Sequence, residues 1–113
     1  MEKKCKFSYS NIDDSLIISC KEENENVKEN FALDDIVFAL TGRGKLVGLQ
    51  IRNVSNFLLE SGIEPAILKN INDIRLIVLQ KENSLFIGIK MINKKLEDIK
   101  IPLGRVYLPQ ISA

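Results

Sequence analysis

The chain has 113 residues, of which 45% are hydrophobic and 27% charged, and its 16 basic and 15 acidic side chains leave a net charge of +1. That size is read as a single domain, 1–113, able to bury roughly two-thirds of its unfolded surface, and the charge balance gives no general reason to expect nucleic acid or an anionic membrane as partner. Two cysteines, no histidine, no apolar run near the ~20 residues of a membrane helix and no signal-peptide core in MEKKCKFSYS lead to the expectation of a cytoplasmic protein with no cofactor.

Cys5, Phe7 and Tyr9 alternate with Lys4, Lys6 and Ser8, and Leu16, Ile18 and Cys20 alternate with Ser15, Ile17 and Ser19. This is the period of two expected of strands. With the turn formers Asn11, Ile12, Asp13 and Asp14 in the loop, Tyr9 faces Leu16, Phe7 faces Ile18 and Cys5 faces Cys20. In a cytosolic setting the cysteines read as two reduced, packed thiols, with a redox-sensitive disulfide as the alternative. KEENEN (21–26) reads as an exposed loop and 27–33 as a third strand.

Ile36, Phe38 and Leu40 then alternate with Val37, Ala39 and Thr41, and after Gly42-Arg43-Gly44-Lys45 the alternation resumes with Val47, Leu49 and Ile51. Placing those four residues at the bend sets Leu40 against Val47, Phe38 against Leu49 and Ile36 against Ile51, so one face of the hairpin is wholly apolar. The period changes after Ile51. Val54, Phe57, Leu58 and Ser61 follow helical spacing, with Asn53 or Ser55 as the starting cap and Gly62 as the terminating one. A second short helix is expected from Pro65 through Ile67, Leu68 and Ile71.

The stretches 74–80 and 85–92 form a further hairpin around Lys81-Glu82-Asn83-Ser84, with Ile74, Leu76 and Val78 facing Met91, Ile89 and Ile87. Its other side carries Ile77, Leu79 and Phe86, and a strand pair apolar on both faces is either covered or part of an interface. Ile99, Ile101, Leu103, Val106 and Leu108 suggest one or two last strands, confined by Pro102 and Pro109 to edges or ends. GKLVGLQI (44–51) and KKLEDIKI (94–101) share a Lys-Leu pattern at a spacing of 50 residues.

Tyr9, Asp14-Ser15-Leu16-Ile17-Ile18, Glu29, Gly44-Lys45-Leu46-Val47-Gly48-Leu49-Gln50-Ile51 and Val54-Ser55 with Phe57 resemble the pattern of a family of short bacterial and archaeal proteins catalogued as domain of unknown function 2283. The match spans 4–58, leaving 63–113 as a C-terminal β extension; it departs at Gln50, where the family has Glu, and at Val54, where it has Ala. The resemblance implies a small β-rich fold and, for some relatives, partnership with small toxin-like proteins. It carries no catalytic residues.

Three candidate sites follow from the residues. Gly42-Arg43-Gly44-Lys45 offers amides and cations to a phosphate, but it joins two strands and lacks the length and the Ser or Thr of a P-loop, so it reads as a turn. Asp13-Asp14 and Asp34-Asp35 have the chemistry for acid–base work or a hard cation, and equally the turn-forming role of Asp. Lys3, Lys4 and Lys6 with Lys94, Lys95, Lys100 and Arg105 could form a basic patch, but sheets that bind RNA add exposed aromatics, and of the aromatics here only Tyr107 has an uncertain facing. No histidine is available to activate a Ser or Cys nucleophile. The expectation is an α+β, mainly antiparallel β protein of about eight strands with one or two short helices packed on the sheet. In function it is expected to be a non-catalytic interaction module, homodimeric or bound to another protein through Ile77, Leu79 and Phe86. A small-ligand or metal-dependent enzyme using the Asp pairs and an RNA-binding or antitoxin-like protein are the alternatives.

Overall fold

The segments with a period of two form strands. The computed structural model describes residues 2–107. Eight strands occur there: β1 (Glu2–Ser10), β2 (Ser15–Ser19), β3 (Val27–Leu33), β4 (Ile36–Thr41), β5 (Leu46–Ile51), β6 (Ile71–Lys81), β7 (Ser84–Asn93) and β8 (Asp98–Tyr107). One α-helix, α1 (Val54–Glu60), and a 3-10 turn, Pro65–Lys69, separate β5 from β6. The architecture is β-rich and the described pairings are antiparallel. Two compact units arise, one from Cys5 to Asn70 and one from Ile71 onward together with the N-terminal residues up to Lys4. The division falls where the 3-10 turn ends.

In the first unit the strand order is β3-β4-β5-β2-β1. Tyr9 pairs with Leu16 and Phe7 with Ile18, as the alternation requires, and Ile18 pairs in turn with Leu49, Phe38 and Phe31 across the sheet. The Phe31 and Phe38 rings stack with centroids 4.9 Å apart. A parallel row runs Tyr9, Leu16, Ile51, Ile36 and Leu33. Leu16, Ile18, Phe38, Leu49 and Ile51 are buried, and Val54 and Leu58 of α1 join them with Ile67 and Leu68 of the 3-10 turn. Each such side chain contributes about 1.5–3 kcal/mol by leaving water.

Three expectations for this unit need correction. Leu40 pairs with Leu46, not Val47, because a bulge shifts the register after Ala39. The cause lies in the turn: the Thr41 amide donates to the Lys45 carbonyl and the Gly44 amide to the Thr41 carbonyl, each at 2.9 Å, so the ladder closes one residue early. Val47 becomes the extra residue, and its carbonyl accepts the Cys20 amide at 2.8 Å. Second, the cysteines are not free thiols. Cys5 and Cys20 form a disulfide, with Cα atoms 4.5 Å apart; directly opposed antiparallel residues reach that separation, and it falls within the range a disulfide spans. Third, the second helix is a 3-10 turn that ends at Lys69, and Ile71 starts β6.

α1 ends as expected. Gly62 takes φ +76, its amide donates to the Leu59 carbonyl and the Ile63 amide to the Leu58 carbonyl, the paired bonds of a Schellman cap. Its start differs: Asn53 has φ 53 and makes no side-chain cap bond.

In the second unit the order is β1 (its first residues), β6, β7, β8. Ile74, Leu76 and Val78 pair with Met91, Ile89 and Ile87 as expected, but the ladder continues to Lys81 and Ser84, leaving only Glu82 and Asn83 in the turn. Glu82 supplies the positive φ of 55°. β8 is a single strand; Pro102 lies in it, on a strand whose described partner is β7 alone, and a bulge at Leu103 shifts the register between Pro102 and Gly104. Leu108 and Pro109 lie outside the described residues. The Lys-Leu repeat has no structural counterpart, since Leu46 is a buried strand residue whereas Leu96 sits 73% exposed in a turn at φ 62.

Two outcomes are expected. The disulfide closes a loop with a sequence separation of 15, so reduction, or the double change Cys5→Ala with Cys20→Ala, should lower stability by about 3 kcal/mol in urea unfolding; equal midpoints with and without reductant would show that the bond does not form. A Cβ at Gly48 would lie 2.9 Å from the Ile18 carbonyl oxygen, so Gly48→Ala should destabilise the fold by about 1–3 kcal/mol, read as a drop in melting temperature.

Candidate functional site

β6, β7 and β8 present a second apolar face opposite the core. The residues at odd positions of β6 point away from Ile74, Leu76 and Val78. They bring Ile77 into register with Gly88 and Pro102, and Leu79 with Phe86 and Arg105. The three residues expected at an interface therefore share one surface. They line an open groove of about 480 Å³, floored by Gly88 and bounded by Pro102, Lys100 and Arg105. Leu79 is 55% exposed and Phe86 37%.

Gly88 makes the hollow. A side chain there would have its Cβ 3.1 Å from the Ile101 carbonyl oxygen, so the backbones of β7 and β8 close ranks and the middle of the face lacks a side chain. At one end Arg105 is held in place. Its guanidinium carbon lies 5.0 Å from the Phe86 ring centroid and 4.8 Å from that of Tyr107, and Nε and Nη2 donate to Ser84 Oγ at 3.3 and 3.2 Å. Two stacking rings and a shared acceptor leave the remaining N–H groups free to donate. Tyr107, whose facing the sequence left open, is 65% exposed.

Arg75, Lys90 and Lys100 form the next row along the face, and the first two are neutralised. Glu2 accepts from Arg75 Nη1 at 3.1 Å and from Lys90 Nζ at 3.0 Å, Asp73 accepts from Arg75 Nε at 3.3 Å, and Asp98 lies 3.7 Å from Lys90. The hydrogen bonds from Lys90 and then Arg75 hold the Glu2 carboxyl below its usual range. Donation to Asp73 and then to Glu2 raises Arg75 above its usual value.

The other candidates have structural occupations. In the Gly42–Lys45 turn, Thr41 Oγ1 accepts the Arg43 and Lys45 amides at 3.3 and 3.2 Å, the Gly44 amide is taken by the Thr41 carbonyl, and Lys45 Nζ donates to Glu25 Oε2 at 2.7 Å. Three of the loop's amides and one of its two cations are thus engaged within the turn. Asp34 turns the chain between β3 and β4 at φ 52, and the Asp35 carbonyl accepts the Arg52 amide at 2.7 Å. Among the described residues no three Asp, Glu or Cys side chains gather as a metal site would need. Lys94 and Lys95 lie in the turn after β7, whereas Lys100 and Arg105 share the groove.

Asp14 proves to be the cap of α1, a role sequence reasoning assigned to Asn53 or Ser55. Its carbonyl accepts the Val54 amide at 3.0 Å, Oδ2 accepts the Ser55 amide at 3.2 Å, and Oδ1 accepts Ser55 Oγ at 2.7 Å and the Tyr9 hydroxyl at 3.0 Å. A residue 41 positions away thus satisfies amides that an N-cap usually serves. Burial is the largest influence on its carboxyl and pushes it upward, but the Ser55 hydroxyl, the Tyr9 hydroxyl and the Ser55 amide together outweigh it and hold Asp14 below the usual value. The remaining member of that pair, Asp13, bonds locally, with Ser10 and Ser15. The one signal for this role in the sequence is the Tyr9–Asp14 spacing.

A carboxyl depressed by folding adds stability that is present above its unfolded pKa and lost as pH falls through the folded one. Asp14→Asn keeps the tolerance for φ 50 at this position and removes the charge. It should cost about 1 kcal/mol at pH 7, and the gap between variant and wild-type melting temperatures should close in acid as the native carboxyl protonates. A gap that stays constant down to pH 2 would show that the charge plays no part.

Compared with family models, with curated proteins and with solved structures, the chain matches none. Its function is therefore argued from its own geometry.

Proposed function

We propose that this α+β, mainly antiparallel protein is a non-catalytic protein-interaction module whose binding face is the outer surface of β6, β7 and β8. The observation that carries the reading is the groove itself: Ile77, Leu79 and Phe86 line one open apolar hollow on a sheet whose opposite face already holds the core. Apolar side chains at such exposure cost solvation unless something covers them. The shape suits a macromolecular segment better than a small molecule, because an open sheet face does not enclose a ligand on most sides. Extension of the sheet at the β8 edge is disfavoured by Pro102 and the bulge there, which favours the face over that edge. The partner is either a second copy, giving the homodimer expected from the doubly apolar hairpin, or another protein.

A catalytic reading through the Asp pairs has less support, since Asp14 is committed to α1 and Asp34 and Asp35 to a turn.

The double variant Leu79→Ser with Phe86→Ser tests the module. Both side chains are more than a third exposed, so the variant should keep its circular dichroism and melt within a few degrees of the wild type. It should lose association, either with itself in sedimentation at tens of micromolar or with proteins that wild-type chain retains from a native lysate. Monomeric wild-type protein that retains nothing would sink the proposal, as would a double variant that associates as well as wild type.

A further inference from the structure

The charges that bound the groove separate the two kinds of partner. The acids beside the groove are engaged: Glu2, Asp73 and Asp98 pair with Arg75 and Lys90. Lys100 and Arg105, which line the groove, have no carboxylate partner among the described residues. Glu82 at the hairpin tip shares a smaller hollow with Arg105, but it makes no ion pair among the described residues and has Lys81 beside it. An isologous dimer would set this patch against itself, bringing two unneutralised cations from each copy into one desolvated interface where the single unpaired acid at the hairpin tip, Glu82, is outnumbered and has Lys81 beside it, and like charges so placed are unfavourable. A partner bearing carboxylates meets no such obstacle.

The spacing specifies more. Lys100 pairs with Lys90 and Arg105 with Phe86, so their rows lie four residues apart on β7, roughly 13 Å at about 3.3 Å per residue. The Ile77, Gly88 and Pro102 row lies midway, and Gly88 makes it the deepest. An extended chain repeats its side chains on one face at every second residue. Its positions i and i+4 therefore match the two cations, and i+2 falls over the Gly88 hollow. We propose that the groove receives an extended segment of a partner protein with the pattern acidic–x–apolar–x–acidic, the carboxylates meeting Lys100 and Arg105 and the apolar side chain filling the space above Gly88. This rests on the interaction-module reading and names the partner that reading leaves open.

Random 12-residue peptides displayed on phage, selected in parallel on wild-type protein and on the Lys100→Glu, Arg105→Glu double variant, test it. Wild type should enrich Asp or Glu four positions apart with an apolar residue between. Synthetic versions of those peptides should bind the variant more weakly by about tenfold for each cation removed. Lys100→Glu alone, at an exposed residue with no carboxylate partner, covers the case in which changing Arg105 disturbs its stacked rings; it should lose the preference at one end only. Equal enrichment of apolar peptides without acids on both proteins would overturn the inference and leave the module standing. So would a failure to enrich any peptide combined with a wild-type dimer that Leu79→Ser dissolves, which would identify a second copy as the occupant. No enrichment with monomeric protein would remove both readings. A 12-residue oligouridylate that binds wild type more tightly than the selected peptides, and fails on the variant, would do the same in favour of nucleic acid.

Discussion

A strand sends successive side chains to opposite faces, so a strand pair with apolar residues on both faces can satisfy only one of them with a single core. The β6–β7 hairpin is such a pair, and the rest of the C-terminal unit follows from it. Ile74, Leu76, Ile87, Ile89 and Met91 take the inner face and are buried together with Ile101 of β8. Ile77, Leu79 and Phe86 are left outside. What β8 then adds to the outer face is a proline, a bulge and a stacked arginine in place of more aliphatic surface. Pro102 removes a ladder donor from a strand with one described partner, and the bulge breaks the evenness a second sheet would need for docking edge to edge.

Polar organisation on that face is equally economical. An exposed ion pair contributes little to stability, commonly less than about 1 kcal/mol. The bonds from Arg75 and Lys90 to Glu2 therefore matter less for holding the unit together than for deciding which charges remain. They cancel Arg75 and Lys90 in the row that also holds Lys100, and leave Lys100 and Arg105 at the groove without a carboxylate partner among the described residues. Arg105 is the better prepared of the two. Rings on both sides and bonds to Ser84 already restrict its guanidinium, so less side-chain entropy remains to be lost when it meets a carboxylate.

Much of this was legible in the residues. Strict alternation set the β4–β5 register as far as its bulge, because a slip by one would have turned Phe38 to water, and the pairing read for β6–β7 placed Ile77, Leu79 and Phe86 on one face. The misses share a physical cause: each depends on a contact between distant positions or on a turn's internal bonds. The Val47 bulge arises from Thr41 closing its own turn, which periodicity does not register. Compartment statistics argued for free thiols, whereas Cys5 and Cys20 stand directly across a strand pair, where local geometry favours bonding. Arg105 was assigned to a diffuse basic patch, since nothing in its spacing from Phe86 and Ser84 shows that β8 would lay it between two rings.

Asp14 shows how the same blindness bears on function. An Asp pair beside a Tyr and a Ser invites a chemical reading, and the four groups do converge: Tyr9 and Ser55 both donate to Asp14 Oδ1. Yet the bonds run inward. The carboxylate takes an amide and a hydroxyl from the first turn of α1, a helix too short to persist without help from its surroundings, and it links the β1–β2 turn to that helix across 41 residues. A carboxylate holding Ser55 Oγ and the Tyr9 hydroxyl in this way has its acceptor capacity directed at the fold. No buried side-chain nitrogen or oxygen among the described residues lacks a partner. At the groove, Lys100 and Arg105 have no carboxylate partner among the described residues, and capacity to spare is what a binding surface requires.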